Sequence, residues 1–104
     1  MKPKLLIVED EKPIARAEEL ILKHEYDVHL AHDGEEGFRK AQEIIPDVIV
    51  LDVMMPKMNG FELCKRIREH DGLAMTKIVM VTAKNQDKDE LKGLNFGADD
   101  YIMK

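Results

Sequence analysis

The sequence predicts an α/β fold in which a five-stranded parallel sheet carries helices on both faces. Short apolar runs rich in β-branched residues alternate along the chain with segments of helical spacing. The runs at Val48–Leu51 and Ile78–Val81 contain no polar residue, which is typical of strands that are covered on both faces. Strict alternation of strand and helix favours right-handed crossovers, and these join parallel strands.

The five predicted strands lie, in chain order, at Leu5–Val8, Val28–Ala31, Val48–Leu51, Ile78–Val81 and Tyr101–Met103. Between them lie four segments whose apolar residues recur at intervals of three or four, which places them on one face of a helix. These residues are Ile14, Ala17 and Ile21 in the first segment, Phe38, Ala41 and Ile45 in the second, Phe61, Cys64 and Ile67 in the third, and Leu91 and Leu94 in the fourth.

Residues that favour caps and turns mark the ends of the predicted helices. Pro13 suits the first turn of the first helix, and Pro46 stops the second helix because proline disfavours a helical residue before it. The remaining signals are Asp33-Gly34 and Asn59-Gly60 before the second and third helices, and Gly97 at the end of the fourth.

Length and composition indicate one acidic cytoplasmic domain. The 104 residues suffice for a single core, and 16 basic against 21 acidic residues give a net charge of −5. That sign disfavours direct nucleic-acid binding by this segment. Cys64 is the only cysteine, so an internal disulfide is excluded, and the apolar run Leu5–Val8 is too short to span a membrane.

Polar residues follow several of the predicted strands at the point where each strand ends. Because the carboxyl ends of parallel strands meet at one sheet edge, we expect Glu9, Asp10, Asp52, Thr82 and Lys104 to converge there. Carboxylate oxygens suit Mg²⁺, and Asp52 is a candidate nucleophile toward phosphorus, with Thr82 and Lys104 contacting the transferred group. Each residue alone has an ordinary structural explanation, so the joint placement is what favours Mg²⁺-dependent phosphoryl transfer.

Motifs along nearly the whole chain carry a family resemblance. They are Leu6-Ile7-Val8-Glu9-Asp10-Glu11, Pro46 to Pro56 with Met58-Asn59-Gly60, Val81-Thr82-Ala83, and Gly97 to Ile102 before Lys104. As a set and in this order, they resemble the receiver domain of bacterial two-component response regulators.

The resemblance implies a flavodoxin-like sheet with strand order 2-1-3-4-5 and a phosphoacceptor at Asp52 that takes its phosphoryl group from a histidine kinase. It implies that Glu9, Asp10, Asp52 and the backbone carbonyl of Met54 bind Mg²⁺. Lys104 would contact the phosphoryl oxygens, and Thr82 with Tyr101 would form the conformational switch.

The sequence also departs from the family pattern. Glu25-Tyr26 lacks the usual glycine, so we expect the first helix to end without a left-handed cap. The family carries a proline and a fifth helix after the residue that matches Lys104. Residues 1–104 therefore read as a receiver domain truncated after strand five. We expect apolar side chains of strands one, three and five to be exposed, which would favour a homodimer or a segment swap.

Two other functions stay open at the level of sequence. One is a scaffold that is never phosphorylated, and the other is an aspartate-nucleophile phosphohydrolase. Such hydrolases place a second aspartate two residues after the nucleophile, where this chain has Met54. The motif wording is most like that of receivers attached to winged-helix DNA-binding domains, so we expect a transcription-regulating output domain or partner that is absent from these 104 residues.

Overall fold

A parallel sheet organises the computed structural model of the chain, which describes residues 2–52, 60–82 and 99–103. All five predicted strands are present, each longer by one residue at one or both ends. The elements are β1 Lys4–Val8, α1 Lys12–Leu22, β2 Asp27–Ala31, α2 Gly34–Ile44, β3 Val48–Asp52, α3 Gly60–Glu69, a 3₁₀ turn Asp71–Leu73, β4 Lys77–Thr82 and β5 Asp100–Met103.

The strand order is β2-β1-β3-β4-β5, as the family resemblance implies, and every neighbouring pair is parallel, as the alternation of strands and helices predicts. Since β1 pairs with both β2 and β3, the strand order changes direction there, and ligands bind at such points in parallel sheets. The predicted fourth helical segment, with Leu91, Leu94 and Gly97, lies outside the described residues, as does Asn59. No helix in the described ranges has the length and apolar character that a membrane span requires.

The main core lies between the sheet and helices α2 and α3. Alternate strand residues on this face are buried together with the predicted α3 stripe; the set includes Leu6, Val8, Ile49, Leu51, Ile78, Met80, Phe61, Cys64 and Ile67. Gly37 lets α2 approach β1 closely, because a Cβ atom there would lie 2.9 Å from Val8 Cγ2. Cys64, a member of the predicted apolar stripe, is buried in this core, and burial raises the pKa of its thiol to about 11, which keeps it protonated.

The opposite sheet face is covered over β1 but only partly over β3 and β4. Leu5 and Ile7 are buried, because α1 packs against β1 and β2. The prediction that strand one would be exposed is therefore wrong. Val48, Val50, Val79 and Val81 are half-buried, so strand three is exposed in part. The side chains of β5 lie outside the described residues.

Helix α1 packs on the sheet through a face that the sequence did not single out. Ala15 is its fully buried residue, whereas Ala17 is exposed and Ile21 is 74% exposed. Of the predicted stripe, Ala17 and Ile21 thus point away from the sheet, whereas Ile14 is half-buried. The helix ends, as expected, without a left-handed cap, since Lys23 has φ −63°.

Helix α2 begins as predicted but ends differently. The carboxylate of Asp33 accepts a hydrogen bond of 2.8 Å from the amide of Glu36, which makes Asp33 the N-cap. The prediction that Ile45 belongs to the apolar stripe is wrong: Ile44 packs on the core, and Ile45 is 48% exposed. Pro46 disfavours a helical conformation at Ile45, which instead adopts φ 46° and ψ 68°.

Replacing Ile45 by glycine is expected to stabilise the fold. A left-handed β-branched residue costs about 1–2 kcal/mol, which exceeds the entropic cost of glycine, so the free energy of unfolding should rise by roughly 0.5–1 kcal/mol. Urea denaturation measures it. The adjacent Ile44→Gly is the matched control and should lose roughly 3 kcal/mol or more, because it removes core contacts within a helix. A comparable loss in both variants would contradict the assignment of strain to Ile45.

Candidate functional site

Three carboxylates gather at the carboxyl ends of β1 and β3. Glu9 and Asp10 directly follow β1, and Asp52 is the last residue of β3. Val8 pairs with Leu51, so the register places Glu9 level with Asp52 on the neighbouring strand. One carboxylate oxygen from each of Glu9, Asp10 and Asp52 lies within 4.8 Å of the others, and this is the one such group among the described residues.

Glu9 is held by hydrogen bonds from three directions. Its amide donates to the carbonyl of Ala31 at 2.9 Å, which extends the pairing with β2 beyond the strand. Its carboxylate accepts from the amide of Glu11 at 3.3 Å. Its carbonyl oxygen lies 3.3 Å from Nδ1 of His32, which donates when that nitrogen carries the proton. Only 3% of Glu9 is exposed, so this carboxylate is fixed in place before any ligand binds.

The donor set fits a small, hard cation such as Mg²⁺. Oxygens on opposite sides of an octahedral Mg²⁺ lie about 4.2 Å apart, so a span of 4.8 Å needs only a small contraction. Asp10 and Asp52 are half-buried, which leaves room for water or phosphate oxygens beside the three carboxylates. A divalent cation there would offset the repulsion among three clustered negative charges.

For two of the other predicted site residues the strand register gives the backbone position, and two more lie outside the described residues. Thr82 ends β4, one position beyond Val81, which pairs with Asp52. It therefore reaches the same edge as the carboxylates. Tyr101 lies within β5 in register with Met80, and Thr82 pairs with Met103. Met54 and Lys104 lie outside the described residues.

His32 is a supporting residue that the sequence interpretation missed. His29 lies on the surface of β2, where its ring is 3.3 Å from the carboxylate of Asp27. His32, however, follows β2 at the same edge and joins two groups. Its ring contacts the Glu9 carbonyl, and its amide donates a 2.7 Å hydrogen bond to the carboxylate of Glu36. Its position directly after a predicted strand was the signal that could have identified it.

The Glu36 contact gives a testable pH dependence. The amide of His32, and then Lys40, hold the pKa of Glu36 below its usual value against the opposing effect of burial. A carboxylate with a lowered pKa in the folded state stabilises the fold above its unfolded pKa, and this contribution is lost as pH falls through the folded value.

Glu36→Gln should therefore lower the free energy of unfolding at pH 7 and lower it less at about pH 4, near the unfolded value of a glutamate. Urea denaturation of both proteins at the two pH values measures this difference. Glu35→Gln, an exposed neighbour in the same helical turn, controls for the loss of a charge near the start of α2. A deficit of equal size at both pH values would contradict the role given to ionised Glu36.

Comparisons with known proteins agree with this geometry. Residues 5–104 match the family model of the response regulator receiver domain. The chain is 48% identical over 102 residues to response regulator ArlR of Staphylococcus saprophyticus, covering 97% of this chain and 45% of that protein. It is 46% identical over 101 residues to response regulator ArlR of Staphylococcus aureus, covering 96% of this chain and again 45% of the relative. The chain thus spans about half the length of these relatives.

Solved structures share the fold over the whole chain. The chemotaxis protein CheY4 of Vibrio cholerae superposes with a TM-score of 0.94 at 33% identity, covering 100% of this chain and 88% of that one. A CheY-like response regulator receiver domain protein from Methanospirillum hungatei gives a TM-score of 0.92 at 31% identity, covering 100% and 82%.

Proposed function

This chain belongs to the response regulator receiver domain family, and from that premise we propose that Asp52 is its phosphoacceptor. The observation that carries the proposal is the clustering of Glu9, Asp10 and Asp52 within 4.8 Å at the carboxyl ends of β1 and β3. Receiver domains are signalling modules, and in the proposed reaction the phosphoryl group is attached to the domain's own Asp52. Neither the scaffold nor the phosphohydrolase alternative is favoured by the comparisons.

In the proposed reaction, a carboxylate oxygen of Asp52 attacks the phosphorus of a phosphohistidine on a histidine kinase. The P–N bond breaks, the histidine nitrogen keeps the electron pair, and Asp52 becomes an acyl phosphate. Hydrolysis reverses the signal: water attacks phosphorus, the bond between phosphorus and the Asp52 oxygen breaks, and inorganic phosphate leaves. The half-buried position of Asp52 supports this role, since a partner's phosphoryl group can reach it.

Glu9, Asp10, Asp52 and the backbone carbonyl of Met54 are the proposed ligands of Mg²⁺. When bound, the ion supplies positive charge that offsets the crowded carboxylates and the transferred phosphoryl oxygens. Glu9 is already fixed by its hydrogen bonds to Ala31, Glu11 and His32, so this chain provides an ordered ligand rather than a mobile one.

Thr82 and Lys104 are proposed to bind the phosphoryl oxygens, and Tyr101 is proposed to change packing together with Thr82. The register supports a common location, because Thr82 lies one position beyond the partner of Asp52 and pairs with the residue that precedes Lys104. Phosphorylation would in this way add negative charge at Asp52 and shift the equilibrium between two packing arrangements of Thr82 and Tyr101.

The proposal extends to the partners of the domain and to its place in the cell. We propose that residues 1–104 form one receiver domain in the cytoplasm, controlled by a histidine kinase and acting on a transcription-regulating output domain or partner. The chain's coverage of 45% of the ArlR sequences supports a further region in such relatives.

Self-association through a homodimer or segment swap and the lack of direct nucleic-acid binding by this segment remain predictions. The exposed Ile21 and the half-buried valines of β3 and β4 are the apolar surface that self-association would cover. Sedimentation of the chain as a monomer at all accessible concentrations would contradict the homodimer.

The proposal is tested by incubating the protein with acetyl phosphate and Mg²⁺ and measuring its intact mass. We expect a mass gain of one phosphoryl group that requires Mg²⁺ and is lost on adding a chelator before the donor. A folded protein that binds Mg²⁺ but gains no mass would contradict the proposal and favour the scaffold.

A further inference from the structure

A second feature of the same sheet edge is a cleft of about 350 Å³ between the start of α1 and the end of β2. It is separate from the carboxylate cluster and has no role in the proposed transfer to Asp52. Clefts of this size are at the lower end of those that hold small molecules. Its lining residues are Lys12, Pro13, Arg16, Leu30 and His32. We refer to it as the basic cleft.

The charge of the basic cleft is opposite to that of the chain. Lys12 and Arg16 are basic residues, and none of the described residues that line the cleft is acidic, although the chain carries a net charge of −5. The Arg16 side chain is 74% exposed and lies 3.8 Å from half-buried Glu19, and a surface pair at that distance contributes little energy. Both cations are therefore accessible to an anion from solution.

The basic cleft lies beside the segment after β1 that carries two of the three carboxylates, Glu9 and Asp10. Lys12 follows Asp10 by two residues, and His32 joins the cleft to Glu9 through the 3.3 Å contact with its carbonyl oxygen. Three clustered carboxylates repel an anionic phosphodonor, and adjacent cations reduce that repulsion and raise the local concentration of the donor. Pro13 and half-buried Leu30 add an apolar wall that suits a short carbon chain.

We propose that the basic cleft binds small phosphorylated anions, of the acyl phosphate class, and presents them to the site at Asp52. The donor's charged group contacts Lys12 and Arg16, while its carbon portion lies against Pro13 and Leu30. The delivery of the phosphoryl group to Asp52 rests on the proposed function. The binding of the anion in the cleft does not depend on Asp52 or on Mg²⁺.

Binding is tested first, with inorganic phosphate as the probe and no Mg²⁺ present. Titration of the ¹⁵N-labelled protein should shift the amide resonances of Lys12, Arg16, Leu30 and His32 in a saturable way. The double variant Lys12→Gln with Arg16→Gln should weaken the apparent affinity roughly fivefold or more, because it removes both cations. Arg39→Gln with Lys65→Gln is the matched control: it removes the same charges from exposed positions, and Arg39 also pairs with a glutamate of its own helix. Equal affinities in the two double variants would overturn the proposed site.

Delivery to Asp52 is tested second, by the initial rate of mass gain from acetyl phosphate at saturating Mg²⁺. The Lys12→Gln, Arg16→Gln protein should be roughly threefold or more slower at low ionic strength, approach the control variant as salt is added, and reach the same final extent. An unchanged rate despite weakened phosphate binding would overturn the delivery role. A wild-type protein that gains no mass at all would overturn the proposed function of Asp52, while the phosphate titration would still decide whether the cleft binds anions.

Discussion

Asp52→Asn is expected to abolish the gain of one phosphoryl group from acetyl phosphate and Mg²⁺. The amide has nearly the shape of the carboxylate but lacks the anionic oxygen that attacks phosphorus. The variant should remain folded, because Asp52→Asn removes one of three like charges that lie within 4.8 Å of one another. Its free energy of unfolding without Mg²⁺ should equal or exceed that of the wild type.

Intact mass and urea denaturation, measured on the same samples, separate loss of the acceptor from loss of the fold. Asp27→Asn, an exposed carboxylate whose side chain is 56% accessible, is the matched control and should gain mass normally. An Asp52→Asn protein that still gained one phosphoryl group would show that the acceptor is a different residue.

Asp10→Asn is expected to weaken Mg²⁺ binding and, through it, phosphorylation. Loss of a supporting contact around a metal typically costs 10–100-fold in affinity, so loss of a direct charged ligand should cost roughly tenfold or more. Because the ligand is lost and the nucleophile is kept, the rate of mass gain should fall at low Mg²⁺ and recover substantially as the Mg²⁺ concentration is raised.

Calorimetric titration with Mg²⁺ measures the affinity, and the mass assay measures the rate over the same concentration range. Glu11→Gln is the control, since Glu11 is exposed and its carboxylate is not part of the cluster. Equal Mg²⁺ affinities for Asp10→Asn and Glu11→Gln would remove Asp10 from the ligand set.

The sheet and the carboxylate cluster could be predicted because both follow from continuous apolar runs. The runs at Val48–Leu51 and Ile78–Val81 are apolar throughout, which identifies them as central strands. Asp52 follows the first run and therefore lies at the carboxyl edge of the sheet. Parallel pairing of β1 and β3 therefore places the carboxylates of Glu9 and Asp52 close together. Thr82 reached the same edge by the same reasoning.

Helix faces were harder to predict because spacing identifies a stripe without saying what the stripe contacts. In α1 the buried position is the small Ala15, whereas the larger Ile21 is exposed. In α2 both Ile44 and Ile45 continue the apolar spacing, and the choice between them depends on the backbone conformation before Pro46. The position of His32 directly after a predicted strand indicates the sheet edge, but its contact with the Glu9 carbonyl on the neighbouring strand is visible only in the structure.

The central claim is that this receiver domain carries its phosphoryl group on Asp52, and the position of the modification tests it most directly. The protein is incubated with acetyl phosphate and Mg²⁺, reduced with borohydride, which converts an aspartyl phosphate to homoserine, and digested for peptide mass spectrometry. The predicted result is homoserine at position 52 alone, absent when Mg²⁺ is withheld. Reduction at another carboxylate, or none in a protein that binds Mg²⁺, would contradict the claim.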